Sequence, residues 1–154
     1  MKTLKRTWAD VSMDDLEHNY NAIMGHIPSG CRFLGVIKAD AYGHGAVPVS
    51  QALTDLGAAY LAISNLEEAI QIRRAGIRTP ILILGYTPPE YADSMVFMDI
   101  TQEVHSLEYA KELDAALTHR EWAATTVVAL LARLEGKGFI AREKQGRGYL
   151  YRAL

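Results

Sequence analysis

Residues 36–46 read Val36-Ile37-Lys38-Ala39-Asp40-Ala41-Tyr42-Gly43-His44-Gly45-Ala46, which places an amine directly after an apolar run and directly before a glycine-rich turn. In α/β folds the carboxyl ends of strands are where sites are built, and a lysine there sits on that rim. An amine at a rim loses part of its hydration, which favours the neutral form, and a neutral amine can condense with an aldehyde. Lys38 is therefore a candidate for covalent attachment of an aldehyde cofactor. By position alone a plainer alternative stands ahead of it: a lysine stem lying along the rim with its charge in water. Asp40 and His44 read as hydrogen-bond formers that fix the loop. Gly43-x-Gly45 lacks the third glycine of a nucleotide fingerprint. His18, His26, His105 and His119 show no metal-ligand spacing and read as surface positions. Cys31 is the one cysteine, which excludes an internal disulfide and fits a reducing compartment; it is expected to pack in the core.

The elements that must position Lys38 alternate between strand and helix. Residues 33–37 form a short apolar run, as expected of a strand buried on both faces. After the break at Gly43-His44-Gly45, residues 46–56 carry apolar side chains at helical spacing and end at Gly57. Residues 60–63 are a second strand. Ser64 or Asn65 can cap the next helix, with Glu67 and Glu68 in its favourable first turn and a stop at Gly76. Residues 80–85 are a third strand, and Thr87-Pro88-Pro89-Glu90 is a loop entering a helix at proline. Residues 96–101 read as a weaker fourth strand, followed by a helix over 106–117. Repeated βα units of this length imply a parallel sheet covered by helices.

Beyond Leu117 the character changes. Up to that point there are 9 Lys/Arg against 15 Asp/Glu; from Thr118 onward there are 7 against 3, so an acidic body of −6 precedes a basic tail of +4. Such a tail suits an anionic partner, although short basic tails are often simply solvated. Residues 125–135 place Val127, Leu130, Leu131 and Leu134 on one helical face, and residues 139–143 and 149–152 read as a hairpin around residues 144–148. The expected division is 1–117 and 118–154, with no Gly/Ser/Pro linker between. A chain of 154 residues that is 49% apolar is ordinary globular material. No apolar run approaches the roughly 18–20 residues of a membrane span, and no apolar signal region follows the basic N-terminus, so a cytoplasmic protein with no membrane partner is expected.

Trp8-Ala9-Asp10-Val11, residues 38–45, Asn65-Leu66-Glu67-Glu68-Ala69 and residues 80–85, in this order and spacing, resemble alanine racemase. The resemblance implies a (β/α)8 TIM-type barrel, of which about four βα units lie here, with pyridoxal 5'-phosphate as cofactor and alanine as substrate. It implies that Lys38 carries the cofactor as a Schiff base and moves the α-proton on one face of the bound amino acid. Tyr42 matches a tyrosine whose hydroxyl contacts the cofactor phosphate, and Leu84 an apolar residue lying against the cofactor. For Leu84 a core role is equally consistent. Racemisation also needs a second acid–base group on the opposite face. In the family this is a tyrosine of a C-terminal β domain, and neither it nor the arginine facing the pyridine nitrogen aligns here. Tyr60, Tyr86, Tyr91 and Tyr109 do not take its place. Impaired or absent turnover is the expectation for this chain alone, and its bare strand edges imply a homo-oligomer.

The tail carries a second resemblance. Glu121-Trp122-Ala123-Ala124-Thr125-Thr126-Val127 through Gly138, then Glu143-Lys144-Gln145-Gly146-Arg147-Gly148-Tyr149-Leu150-Tyr151, is similar to the penicillinase-repressor family of winged-helix regulators. That likeness implies a helix entering the DNA major groove and a hairpin wing on the backbone. Thr125, Thr126 and Arg133 would then face DNA, with Lys144 and Arg147 at phosphates. The expected fold is thus a partial barrel followed by a truncated winged-helix segment, with transcription regulation as the alternative to racemisation.

Overall fold

The computed structural model describes residues 9–117, 140–145 and 148–153. The chain divides into two compact units, 1–117 and 118–154.

The first unit begins with α1 (Met13–His26), capped by Ser12, whose side chain accepts from the Asp15 N–H, with Asp14 and Asp15 in the first turn. Acidic side chains there complement the helix dipole. Next come β1 (Leu34–Val36), a single turn α2 (Lys38–Tyr42), α3 (Ala46–Asp55), β2 (Tyr60–Ile63) and α4 (Leu66–Arg74). Asn65 caps α4 by accepting from the Glu68 N–H. Strand β3 (Ile81–Ile83) leads through a 3-10 turn (Pro89–Tyr91) into α5 (Ala92–Phe97), then β4 (Ile100–Gln102) and α6 (Leu107–Ala116), capped by Ser106.

The four strands lie in chain order, every neighbour parallel, with Val36, Ala62, Leu82 and Thr101 in one row across the sheet. The two faces differ sharply. Ile37, Leu61, Ile63, Ile81 and Ile83 are all at most 2% exposed, packed with Val49 and Leu53 of α3, Ala69 and Ile72 of α4 and Met95 of α5. On the opposite face Leu34 and Val36 are each 40% exposed and Leu84 39%. Among the described residues, helices therefore cover one side of the sheet and leave the other without a helix, as in a barrel, whose strands carry helices only on the outside. Burying an isoleucine contributes about 1.5–3 kcal/mol, so the covered face supplies most of the holding energy. The open face is free to take on other work.

Two expectations need correction, and one element was missed. Residues 96–99 are not strand: Val96 and Phe97 finish α5, Asp99 turns the chain at φ 53°, and β4 starts only at Ile100. The helix entered at the prolines runs on because Ala92 and Met95 share its buried side; the β-branched Val96 follows that packing rather than its own preference. Cys31 is exposed, not packed. Helix α1 was not assigned from the sequence, because its apolar spacing is weak and only Tyr20 is fully buried.

In the second unit, β5 (Ile140–Gln145) and β6 (Gly148–Ala153) form an antiparallel hairpin from Ile140↔Ala153 to Gln145↔Gly148, each strand longer than the sequence suggests. The helix expected over 125–135 lies outside the described residues. Among the described residues, no helix is long and apolar enough to cross a membrane.

Candidate functional site

Lys38 is half-buried and opens α2 at the carboxyl end of β1. Its turn has an unusual backbone. Ala39, Asp40 and Ala41 lie at φ/ψ near 50°/50°, and Tyr42 has φ 56°, so four successive non-glycine residues are left-handed. Each such residue costs about 1–2 kcal/mol, so the turn holds about 4–8 kcal/mol of strain, somewhat less where Asp40's short polar side chain eases it. That is of the order of a whole domain's stability, about 5–15 kcal/mol. The surroundings must hold the turn in place, and strain of this kind clusters at functional sites.

Several bonds do the holding. The Gly43 N–H donates to the Ala39 and Asp40 carbonyls (3.1 Å each), and the Gly45 N–H to Asp40 O (2.9 Å). The Asp40 carboxylate accepts from the Ala46 N–H at 2.7 Å. Gly45, in the N-cap position of α3, has no side chain to do this, so Asp40 caps that helix from outside. His44 Nδ1 lies 2.8 Å from the Ala41 carbonyl. Glycine is required where the chain leaves the turn, with Gly43 at φ 87° and Gly45 at φ 92°. Asp40 and His44 thus fix the loop. Finally, the Ala39 N–H donates to Glu68 Oε1 and the Ser64 N–H to Glu68 Oε2, both at 2.7 Å, which ties the Lys38 turn to the β2–α4 junction. In the sequence Glu68 showed only as a first-turn acid. The spacing Asn65-x-x-Glu68 is the signal of a capping box, but its second oxygen could not be traced to Ala39 without the fold.

The other expected residues lie around this rim. Tyr42 is 61% exposed at the end of the left-handed turn. Lys38 and Leu84 each stand two residues beyond the paired row of Val36 and Leu82, at the carboxyl ends of β1 and β3. Between their strands the backbones come close: a Cβ on Gly85 would strike the Ser64 carbonyl oxygen. The Leu84 N–H donates to Ile63 O and the Glu103 N–H to Ile83 O, extending the ladder to the same rim (2.9 and 3.0 Å).

At the ends of β3 and β4, Tyr109 is 2% exposed. Its hydroxyl donates to Thr87 O at 2.7 Å and accepts from the Thr87 N–H at 3.2 Å. Burial pushes its pKa up, against the opposing effect of the Thr87 backbone bond. His105 stacks on Tyr109, with ring centroids 5.0 Å apart. At the other end of the strands, Arg73 binds the Ile77, Thr79, Met98 and Asp99 carbonyls, all at 2.9 Å. Sequence reasoning singled out neither group.

A cleft of about 720 Å³ lies on the helix-covered side, between α1 and the free edge of β1, with Leu16, Tyr20, Phe33 and Leu53 in its walls. Tyr42 and His44 reach it; Lys38 and Leu84 do not. Its walls are mainly apolar, and this cleft does not bring Tyr42 together with Lys38 and Leu84. No His/Cys/Asp/Glu cluster suited to a metal occurs among the described residues. Of the residues expected at DNA, Lys144 is exposed on β5, and Thr125, Thr126, Arg133 and Arg147 lie outside the described residues.

Known proteins match this arrangement. The family model of the alanine racemase N-terminal domain matches residues 11–133. Alanine racemase of Clostridium novyi (strain NT) is 37% identical over 143 residues, 93% of this chain and 37% of that protein. Alanine racemase of Desulfovibrio desulfuricans is 45% identical over 112 residues, 73% of this chain and 30% of that one. Among solved structures, alanine racemase of Clostridium difficile 630 superposes with a TM-score of 0.71 at 41% identity, covering 77% of this chain and 31% of that one. The chain spans about a third of the length of these relatives. With four parallel strands, helices on one face and a lysine turn at the carboxyl rim, the chain belongs to the alanine racemase family, in the TIM-barrel-like fold of its N-terminal domain.

Proposed function

We propose that this chain supplies the cofactor-bearing part of a pyridoxal 5'-phosphate-dependent amino-acid racemase, with Lys38 the attachment residue and alanine the substrate. The observation that carries this reading is a half-buried lysine on a strained left-handed turn at the carboxyl end of a parallel strand. The donor set fits the cofactor's three parts. The Lys38 amine suits the aldehyde, the exposed Tyr42 hydroxyl suits the phosphate, and Leu84 offers an apolar surface for the ring. The close approach of Gly85 to Ser64 leaves no room for a side chain between β2 and β3 at that level.

When bound, pyridoxal phosphate supplies an electron sink that stabilises negative charge at an amino acid's α-carbon. With the cofactor in place, Lys38 Nζ would take and return the α-proton on one face of the bound amino acid. Asp40, His44 and Glu68 keep the turn rigid, so that the amine need not be re-ordered for each transfer. Partnership with a second copy, as the relatives' family suggests, would complete a site of which these residues form one wall.

The test is chemical. Purified protein mixed with pyridoxal phosphate, reduced with borohydride and digested should show the pyridoxyl mass on the peptide containing Lys38. Labelling spread evenly over all lysines would contradict the reading.

A second reading attaches to residues 118–154: a DNA-contacting wing of the penicillinase-repressor type. It is favoured by the β5–β6 hairpin, the exposed Lys144 and the +4 balance of the tail. A gel shift on arbitrary duplex that weakens steeply with salt is expected, and absence of any shift at low salt would contradict it.

A further inference from the structure

We infer that Glu68 is the positioning residue for the Lys38 amine: its carboxylate clamps the left-handed turn to the β2–α4 junction and so sets where the amine stands. The inference rests on Lys38 being the attachment residue, and it adds a role for a side chain two elements away.

Helix α4 itself needs only part of what Glu68 offers. In a capping box, the acid three residues after the cap reaches back to a backbone N–H at the helix start. Here one carboxylate oxygen does nearly that, accepting from the Ser64 N–H, while Asn65 accepts from the Glu68 N–H. The helix end is then satisfied. The other oxygen, Oε1, leaves the helix and accepts from the Ala39 N–H at 2.7 Å, across 29 residues of sequence. Ala39 is the residue directly after Lys38 and the first of the four left-handed positions. A carboxylate accepting from an N–H makes one of the stronger hydrogen bonds available, and it is placed where the strained turn begins. The remaining supports, Asp40 to Ala46 N–H and His44 to Ala41 O, act at the far end of the turn. Without Glu68 the near end, which carries the lysine, keeps backbone bonds such as Ile37 N–H to Ala62 O, Ala41 N–H to Ile37 O and Gly43 N–H to Ala39 O, but loses its side-chain tie to the β2–α4 junction.

Glu68→Gln keeps the size of the side chain but replaces one acceptor oxygen with an NH2 group that faces an N–H. Glu68→Ala removes both acceptors. The 154-residue chain and each variant are mixed with pyridoxal phosphate, quenched with borohydride at timed intervals, and the pyridoxyl mass is followed at Lys38 and, as an internal standard, at the exposed Lys111. Amide hydrogen exchange at Ala39 and Ser64 is measured on the same proteins without cofactor. Arg73→Ala, which weakens the opposite end of the strands, controls for a general loss of stability.

The expected result is about tenfold slower labelling of Lys38 in both Glu68 variants, in line with the loss of one charge-assisted hydrogen bond. Lys111 labelling is unchanged, exchange at Ala39 and Ser64 is faster, and Arg73→Ala labels Lys38 at the wild-type rate. Wild-type labelling of Lys38 in Glu68→Gln, or an equal loss in Arg73→Ala, would overturn the proposal. If the wild-type protein itself shows no preference for Lys38, the attachment reading fails; unchanged exchange at Ala39 in Glu68→Gln separately overturns the clamp.

Discussion

Replacing Ala39 with glycine is expected to leave the protein as stable as before or more stable, against the usual sign of that substitution. In a right-handed helix Ala→Gly costs about 1 kcal/mol, because glycine gains more freedom in the unfolded chain and has a poorer helix propensity. Ala39 stands at φ 50°, ψ 53°, where its Cβ crowds the backbone at a cost of about 1–2 kcal/mol that glycine does not bear. Glycine's added unfolded-state entropy takes back about 0.4–1 kcal/mol. Ala39 is exposed, so no packing is lost, and its N–H bond to Glu68 survives the change. The net change is therefore between about 0 and 1.5 kcal/mol of stabilisation. Ala22→Gly serves as the matched comparison, an exposed position inside the right-handed α1, and is expected to lose about 1 kcal/mol. Urea unfolding and thermal melting of both variants beside the wild type give the answer, with about 3 °C in Tm for each kcal/mol at this chain length. The two variants should move in opposite directions. If Ala39→Gly falls as far as Ala22→Gly, the turn is not left-handed in solution and the argument from strain collapses.

Other substitutions probe the framework around the rim. Arg73→Ala strips four backbone carbonyls of their donor and should cost about 3 kcal/mol in urea unfolding, far more than an exposed arginine would. Gly85→Ala drives a Cβ into the Ser64 carbonyl oxygen and should cost about 2 kcal/mol or more, with slower labelling of Lys38 as the β2–β3 junction opens. Tyr109→Phe loses the hydroxyl bonds to Thr87 and should cost about 1–2 kcal/mol by thermal melting. Because burial raises the Tyr109 pKa above the ordinary 10.0, the folded state holds its proton more tightly than the unfolded state. Its contribution is fully present below pH 10 and is lost as pH rises through the folded value. The alkaline fall in stability should accordingly be shallower in Tyr109→Phe than in the wild type.

How far these features could be read from the residues depended on how local they are. The βα alternation was legible because β2 and β3 are unbroken apolar runs, and because Asn65 and Ser106 cap their helices by side-chain oxygens three residues from their partners. Lys38 was legible for the same reason: an amine between an apolar strand and a Gly-x-Gly turn is a local pattern. Misassignment came where tertiary packing overrode local preference, as with Val96 and Phe97, drawn into α5 by the burial of Ala92 and Met95. Helix α1 escaped notice because only one of its residues is fully buried. The left-handed turn was invisible because only Asp40 in Ala39-Asp40-Ala41-Tyr42 tolerates that conformation readily; it is held from outside by groups at 46 and 68. Glu68 looked like an ordinary helix-start acid, and only the packing of α4 against the α2 turn brings its second oxygen to Ala39. Arg73 was hidden likewise, since its four carbonyl partners come from two separate loops.

The central claim, that one amine at the β1 rim is chemically set apart from the rest, is tested most directly by titrating the protein with pyridoxal phosphate and following the visible absorbance of the protein-bound pyridoxal, wild type beside Lys38→Ala. A saturable band with one equivalent in the wild type, and none in Lys38→Ala at the same melting temperature, is the predicted result. A band of equal size in both proteins would contradict it.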